Sequence, residues 1–169
     1  GLTTAPSVEE RKGQTDVALD LLKEVGRAIS TVPEDFNLNR KLRRFFDHRM
    51  QTIENGEGID WATGESLAFG TLLVEGHLVR LSGQDVARGT FSQRHVVVTD
   101  QETEDVFIPL EQIRPGDQAK LIARNSTLSE AAVLGFEYGL SLADPDVLVM
   151  WEAQFGDFAN GAQFIFDQF

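Results

Sequence analysis

The 169-residue sequence contains no cysteine. Disulfides, zinc–thiolate centres and a cysteine nucleophile are therefore excluded. Positive charge is also scarce: 15 Lys and Arg stand against 27 Asp and Glu, a net charge of −12. Such a balance repels polyanions, so neither nucleic acid nor an anionic membrane surface is expected as a partner. No apolar run approaches the roughly 20 residues that span a bilayer. No secretory leader or Arg/Ser-rich transit segment is legible at the N-terminus. A phosphate-cradling glycine loop and a nucleophile elbow are missing too. His48, His77 and His95 show no metal-ligand spacing, and no metal site is expected within the chain. Acidic, cysteine-free and without a targeting segment, the sequence points to a reducing, cytosol-type compartment.

What is present reads as an α/β protein. Hydrophobic residues make up 41% and charged residues 25%, ordinary values for a globular domain. Residues 1–14 are polar and read as a lead-in. Thr15 is placed to cap a helix through Ile29, with Val17, Leu21, Val25 and Ile29 at helical spacing. A second helix is expected from about Leu38 to Glu54, stopped by Asn55-Gly56. A third runs from about Trp61 to Glu75, with Gly76 as its stop, before a short buried strand at 78–81. "HVVVTDQETEDVFIPL" alternates about a polar turn, as a β-hairpin does. "KLIARNSTLSEAAVLGFEYGLSLADP" and "DVLVMWEAQFGDFANGAQFIFDQF" each read strand, turn, helix. Strands alternating with helices imply right-handed crossovers and parallel-sheet layers flanked by helices.

In open parallel sheets, ligands gather beyond the carboxyl ends of the strands, where helix N-termini point. Two such places are legible. "NSTLSE" puts Glu130 in the opening turn of a helix, and "WEAQFGDF" puts Phe155 and Phe158 at the mouth of another. Each also has a purely structural account. Thr127-x-x-Glu130 fits a capping box, and two Phe three residues apart suit a core. On spacing alone the structural accounts are the commoner ones. The cluster Arg80, Arg88, Arg94 and His95 is compatible with a carboxylate site, though paired surface charge is the simpler reading.

The blocks "GIDWATGE", "RLSGQDVARGTFSQRH", "NSTLSEAAVLGFEYG" and "WEAQFGDFANGAQ", in that order, resemble the thiamine-diphosphate-dependent first component of the 2-oxoglutarate dehydrogenase complex. The resemblance runs from about Leu38 to Phe169. Members of that family are several times longer, so the chain is expected to be an internal piece. Residues 1–55 would be a helical lead-in, and 56–169 most of the pyrimidine-binding domain, cut short on its C-terminal side. The resemblance implies that Glu130 shares a proton with N1′ of the cofactor's aminopyrimidine. It implies that Phe155 and Phe158 flank that ring, and that Leu128 supports the bent cofactor. Gln84 stands where related 2-oxo-acid decarboxylases carry an acid, so no proton-relay role is assigned to it.

The implied activity is oxidative decarboxylation of 2-oxoglutarate in the tricarboxylic acid cycle. The succinyl group would pass to the lipoyl group of dihydrolipoyl succinyltransferase. The same chemistry on 2-oxoadipate, and a non-catalytic interaction domain on the same scaffold, are the alternatives. The resemblance further implies Mg2+ held by residues outside the chain, a homodimer, and dihydrolipoyl dehydrogenase as a third component of the complex. It implies a bacterial cytoplasm, or the mitochondrial matrix in a eukaryote.

Overall fold

The structure is a computed structural model that describes Gly13, residues 15–127 and residues 129–169. The lead-in expected over 1–14 and the support role of Leu128 lie, Gly13 apart, outside the described residues. Three helices come first: α1 (Leu19–Ile29), α2 (Arg40–Asn55) and α3 (Trp61–Val74). Thr15 is not the cap of α1. The helix starts at Leu19 behind Ala18, with no side-chain cap. A cap is worth only about 1 kcal/mol, and the helix extends only as far as Leu21, Val25 and Ile29 find a core to pack on. The other stops fall close to where the spacing puts them. Asn39 caps α2 through Lys41 N, and Gly56, in the left-handed region at φ 72°, ends it.

Strands β1 (Val79–Gly83), β4 (Leu121–Asn125) and β5 (Leu148–Glu152) form one parallel sheet in the order β4-β1-β5. Helix α4 (Glu130–Ala143) carries the chain from β4 across β1 to β5. This is the crossover that the alternating pattern implies. The hairpin between β1 and β4 is shorter than its alternation suggests. Only β2 (Val98–Thr99) and β3 (Val106–Phe107) pair, antiparallel. Its turn is held by Asp100, whose carboxylate accepts from the amides of Glu102, Thr103 and Asn37. A 3₁₀ turn at Pro109–Gln112 follows it. A second 3₁₀ segment (Gly156–Ala162) and the short helix α5 (Gln163–Gln168) end the described chain.

The main core joins α1, α3 and the sheet. Val25 and Ile29 of α1 bury against Phe69 and Leu73 of α3, and against Val79, Leu81 and Leu121. A Cβ on Gly70 would lie 2.2 Å from Val25 Cγ1, so the α1–α3 approach requires glycine there. Arg49 of α2 is buried beside it. Its guanidinium lies 4.5 Å from the Phe45 ring and donates to the carbonyls of Ile29 and Arg94. Burial pulls its pKa down to about 10, against the charge of Asp60.

Parallel pairing brings the carboxyl ends of the sheet level with one another. Gly83 stands opposite both Asn125 and Glu152. The segments that leave these ends therefore start side by side: residues 84 onward, 126 onward and 153 onward.

Candidate functional site

Glu130 is the first residue of α4, and Ser129, not Thr127, is the cap: its Oγ accepts from Ala132 N. The capping-box account of Glu130 therefore fails. Its carboxylate accepts from no backbone amide among the described residues; Oε1 accepts a 3.2 Å hydrogen bond from Nε2 of Gln84. The second oxygen, Oε2, has no hydrogen bond among the described residues and sits over Gly161, where an added Cβ would lie 3.1 Å from it. A half-buried carboxylate at a helix N-terminus, with one oxygen fixed and one free, is poised to meet a proton donor.

Phe155 and Phe158 are not core. They are 41% and 46% exposed, and their rings meet edge to face at 5.9 Å. Phe91, from the loop after β1, extends the row with an edge contact to Phe155 at 5.7 Å. A half-exposed row of edge-to-face aromatics at the carboxyl end of a parallel sheet is compatible with a flat heteroaromatic ligand. At the same strand ends a narrow crevice is lined by Gln84, Ser126, Glu130, Trp151, Glu152 and Gln154. A wider cleft of about 680 Å³ opens around Trp61. Its acids are already engaged, Asp60 as the cap of α3 and Glu65 with Arg94, so it offers no convergent polar set.

The arginine cluster is a set of separate ion pairs. Arg80 of β1 makes a bidentate pair with Glu137 of α4 at 2.7 and 2.8 Å. The carboxylate raises the Arg80 pKa, chiefly through that hydrogen bond. Arg88 pairs with Asp85 in the exposed loop. Arg94 is 3% exposed and pairs with both Glu65 and Glu152. Burial disfavours its charge, and the hydrogen bonds to Glu152 and Glu65 together outweigh that and raise its pKa. Spacing foresaw paired charge here but placed it at the surface; Arg94 is buried and Arg80 half-buried. His95 packs on Phe45 with Nε2 2.9 Å from the Ser92 carbonyl, and burial lowers its pKa. Among the described residues no three His, Asp or Glu side chains are grouped to hold a metal ion.

Sequence reasoning missed three participants: the Gln84 bond to Glu130, Gly161 beneath Glu130, and Phe91. All three lie inside motif blocks already singled out, but nothing in their spacing marks the contact.

Glu130 at a helix N-terminus and half-exposed aromatic rings thus stand at the carboxyl end of one parallel sheet in an α/β protein. The chain belongs to the family described as the transketolase pyrimidine-binding domain, which residues 57–169 match. Over its whole length it is 61% identical to the 2-oxoglutarate dehydrogenase E1 components of Brucella canis and Brucella anthropi, and 60% identical to that of Brucella ovis. It spans 17% of the length of each. No described helix is long and apolar enough to cross a membrane.

Proposed function

We propose that the chain forms the aminopyrimidine-binding wall of a thiamine-diphosphate-dependent enzyme that oxidatively decarboxylates 2-oxoglutarate. Residues 56–169 are the pyrimidine-binding domain and 1–55 its helical lead-in. The observation that carries this reading is the carboxylate of Glu130. It is freed from capping by Ser129, anchored on one oxygen by Gln84 and left open on the other above a glycine.

These residues fit the ring. When bound, thiamine diphosphate supplies the carbon nucleophile and the electron sink that decarboxylation of a 2-oxo acid needs. Glu130 holds or releases a proton at Oε2, toward N1′ of the ring. Gln84 keeps that carboxylate from rotating. Phe155 and Phe158 offer faces for stacking and keep water from the crevice. The diphosphate needs cationic ligands, which a net charge of −12 does not favour, and its Mg2+ needs grouped ligands that the described residues do not form. A second subunit and a separate domain therefore complete the site, and the working protein is a homodimer. Its acyl product, a succinyl group, passes to the lipoyl group of dihydrolipoyl succinyltransferase, in a complex that also contains dihydrolipoyl dehydrogenase. Its setting is the tricarboxylic acid cycle in a bacterial cytoplasm.

The test is calorimetric titration of the full-length protein with thiamine diphosphate and Mg2+, for wild type and Glu130→Ala, with 2-oxoglutarate turnover assayed beside it. Weaker binding and lost turnover in the variant are expected. Equal affinity and equal turnover would leave Glu130 without a role and make the chain a non-catalytic interaction domain.

A further inference from the structure

The loop from Gln84 to Val97, between β1 and β2, has an unfavourable backbone. Asp85, Ser92 and His95 all adopt positive φ, at 59°, 55° and 48°. Left-handed backbone is disfavoured for L-residues, so three such residues persist where surrounding contacts impose them. The loop also carries two parts of the half-site: Gln84, bonded to Glu130, and Phe91, against Phe155.

Arg94 ties this loop to two other elements. A guanidinium has five N–H donors, and here all five are used. Nε and Nη2 donate to the two oxygens of Glu65 on α3, at 2.6 and 3.1 Å. Nη1 donates to Glu152 Oε1 and to the carbonyl of Val86, both at 3.0 Å. Nη2 also donates to Glu152 Oε2. Three separate elements thus converge on one buried group: the fixed helix α3, the loop itself, and the end of β5. Three residues past Glu152 stands Phe155. The backbone of Arg94 is pinned as well, its carbonyl accepting from Arg49 and its amide donating to Arg88 O.

We propose that Arg94 is a positioning residue that sets the two walls of the ring site against each other. One wall is the loop that bears Gln84 and Phe91; the other is the β5 end that leads into Phe155 and Phe158. This rests on the reading of the site as an aminopyrimidine pocket. Arg94 touches neither the ring nor Glu130, and acts through Gln84 and the aromatic row. Lysine cannot replace it: three donors on a single nitrogen do not reach three acceptor groups held in a planar fork.

The experiment uses the full-length protein as wild type, Arg94→Lys and Glu152→Gln. The second variant keeps its shape and frees only one arm of the fork, which guards against Arg94→Lys failing to fold. Amide exchange is followed without cofactor, and thiamine diphosphate affinity is measured by calorimetry with Mg2+. In Arg94→Lys, exchange is expected to accelerate in 84–93 and in 153–159 together, with α3 and the sheet unchanged. Affinity should fall roughly tenfold, as expected when the support of a preorganised site is loosened. Glu152→Gln should accelerate 153–159 and weaken affinity less. Acceleration confined to one segment in Arg94→Lys, or unchanged affinity beside a lowered melting temperature, would overturn the proposal. If the wild type itself binds no thiamine diphosphate, the cofactor reading fails, and the exchange measurements still decide the positioning role.

Discussion

Nε2 of Gln84 donates to Oε1 of Glu130 across 3.2 Å, joining the residue after β1 to the first residue of α4. The bond fixes the carboxylate by one oxygen and leaves the other free for a proton. Glu130→Gln keeps the shape but cannot exchange that proton. In the full-length protein this variant should fold as wild type, yet turn over ~10²–10⁴ more slowly, the usual worth of a positioned acid–base group. Turnover within about threefold of wild type would remove Glu130 from the chemistry.

Phe158 tests the aromatic wall. A fully buried Phe costs about 3–5 kcal/mol on truncation to Ala, but this ring is 46% exposed. Phe158→Ala should therefore barely move the melting temperature. The loss of about 1 kcal/mol of stacking should instead weaken thiamine diphosphate binding about fivefold. A large melting shift with unchanged affinity would return Phe158 to a packing role.

Much of the fold was legible from the sequence, because the signals were local. Asn55-Gly56 stops α2, and the third helix and the two later strand–helix units fall close to where their spacing puts them. The site was half legible. Glu130, Phe155 and Phe158 sit in motif blocks at strand ends, and the parallel register brings those ends level. Contacts between residues dozens of positions apart were not legible. Gln84 lies 46 residues from Glu130 and Arg94 lies 58 from Glu152, and no spacing rule couples such pairs. The left-handed backbone at Asp85, Ser92 and His95 was hidden for a related reason. Those residues carry side chains, and nothing in their spacing signals a left-handed backbone. Thr15 failed as a cap because a weak local preference yielded to the packing limit of α1.

The Arg80–Glu137 pair ties β1 to α4 behind Glu130, with side chains only 15% and 3% exposed. Removing one member leaves the other charge buried without compensation. Arg80→Met should therefore cost about 3–5 kcal/mol. The double variant Arg80→Met/Glu137→Leu should recover most of that loss, since no buried charge remains. Denaturant unfolding of the two variants checks this. Equal instability of single and double variants would show that the fold depends on the pair's hydrogen bonds and not on charge balance.

His95 gives a pH dependence. Burial lowers its folded pKa below the ordinary value of about 6.5. As pH falls through that value, the unfolded chain takes up a proton that the folded one refuses, so stability drops. The depressed carboxylates Asp60 and Asp100 act oppositely in cause. Their stabilisation is present above the ordinary carboxylate range and is lost only at lower pH. Just below about pH 6.5, above the carboxylate range, His95 thus contributes to the slope. Asn tolerates left-handed backbone, so His95→Asn should flatten the melting-temperature curve in that window. Curves of equal slope would show that His95 takes up its proton equally in both states.

The outer face of α4 and the end of the chain expose apolar side chains that the core does not use. Leu142 on α4 and Phe164, Phe166 and Phe169 around α5 are exposed. Tyr138 meets Phe169 at 5.7 Å, which joins the two helices. Tyr138 and Leu142, four residues apart, share one face of α4, whereas Phe136 lies on another, over the Arg80 guanidinium. Single exposed hydrophobics are ordinary, but several on adjoining helices make a surface that association can cover. Residues 13–169 expressed alone should therefore sediment as a concentration-dependent mixture. Leu142→Ser with Phe164→Ser should shift that mixture toward monomer without lowering the melting temperature, because neither side chain is buried. A monodisperse monomer at all concentrations for the unsubstituted stretch would show that these side chains need no partner.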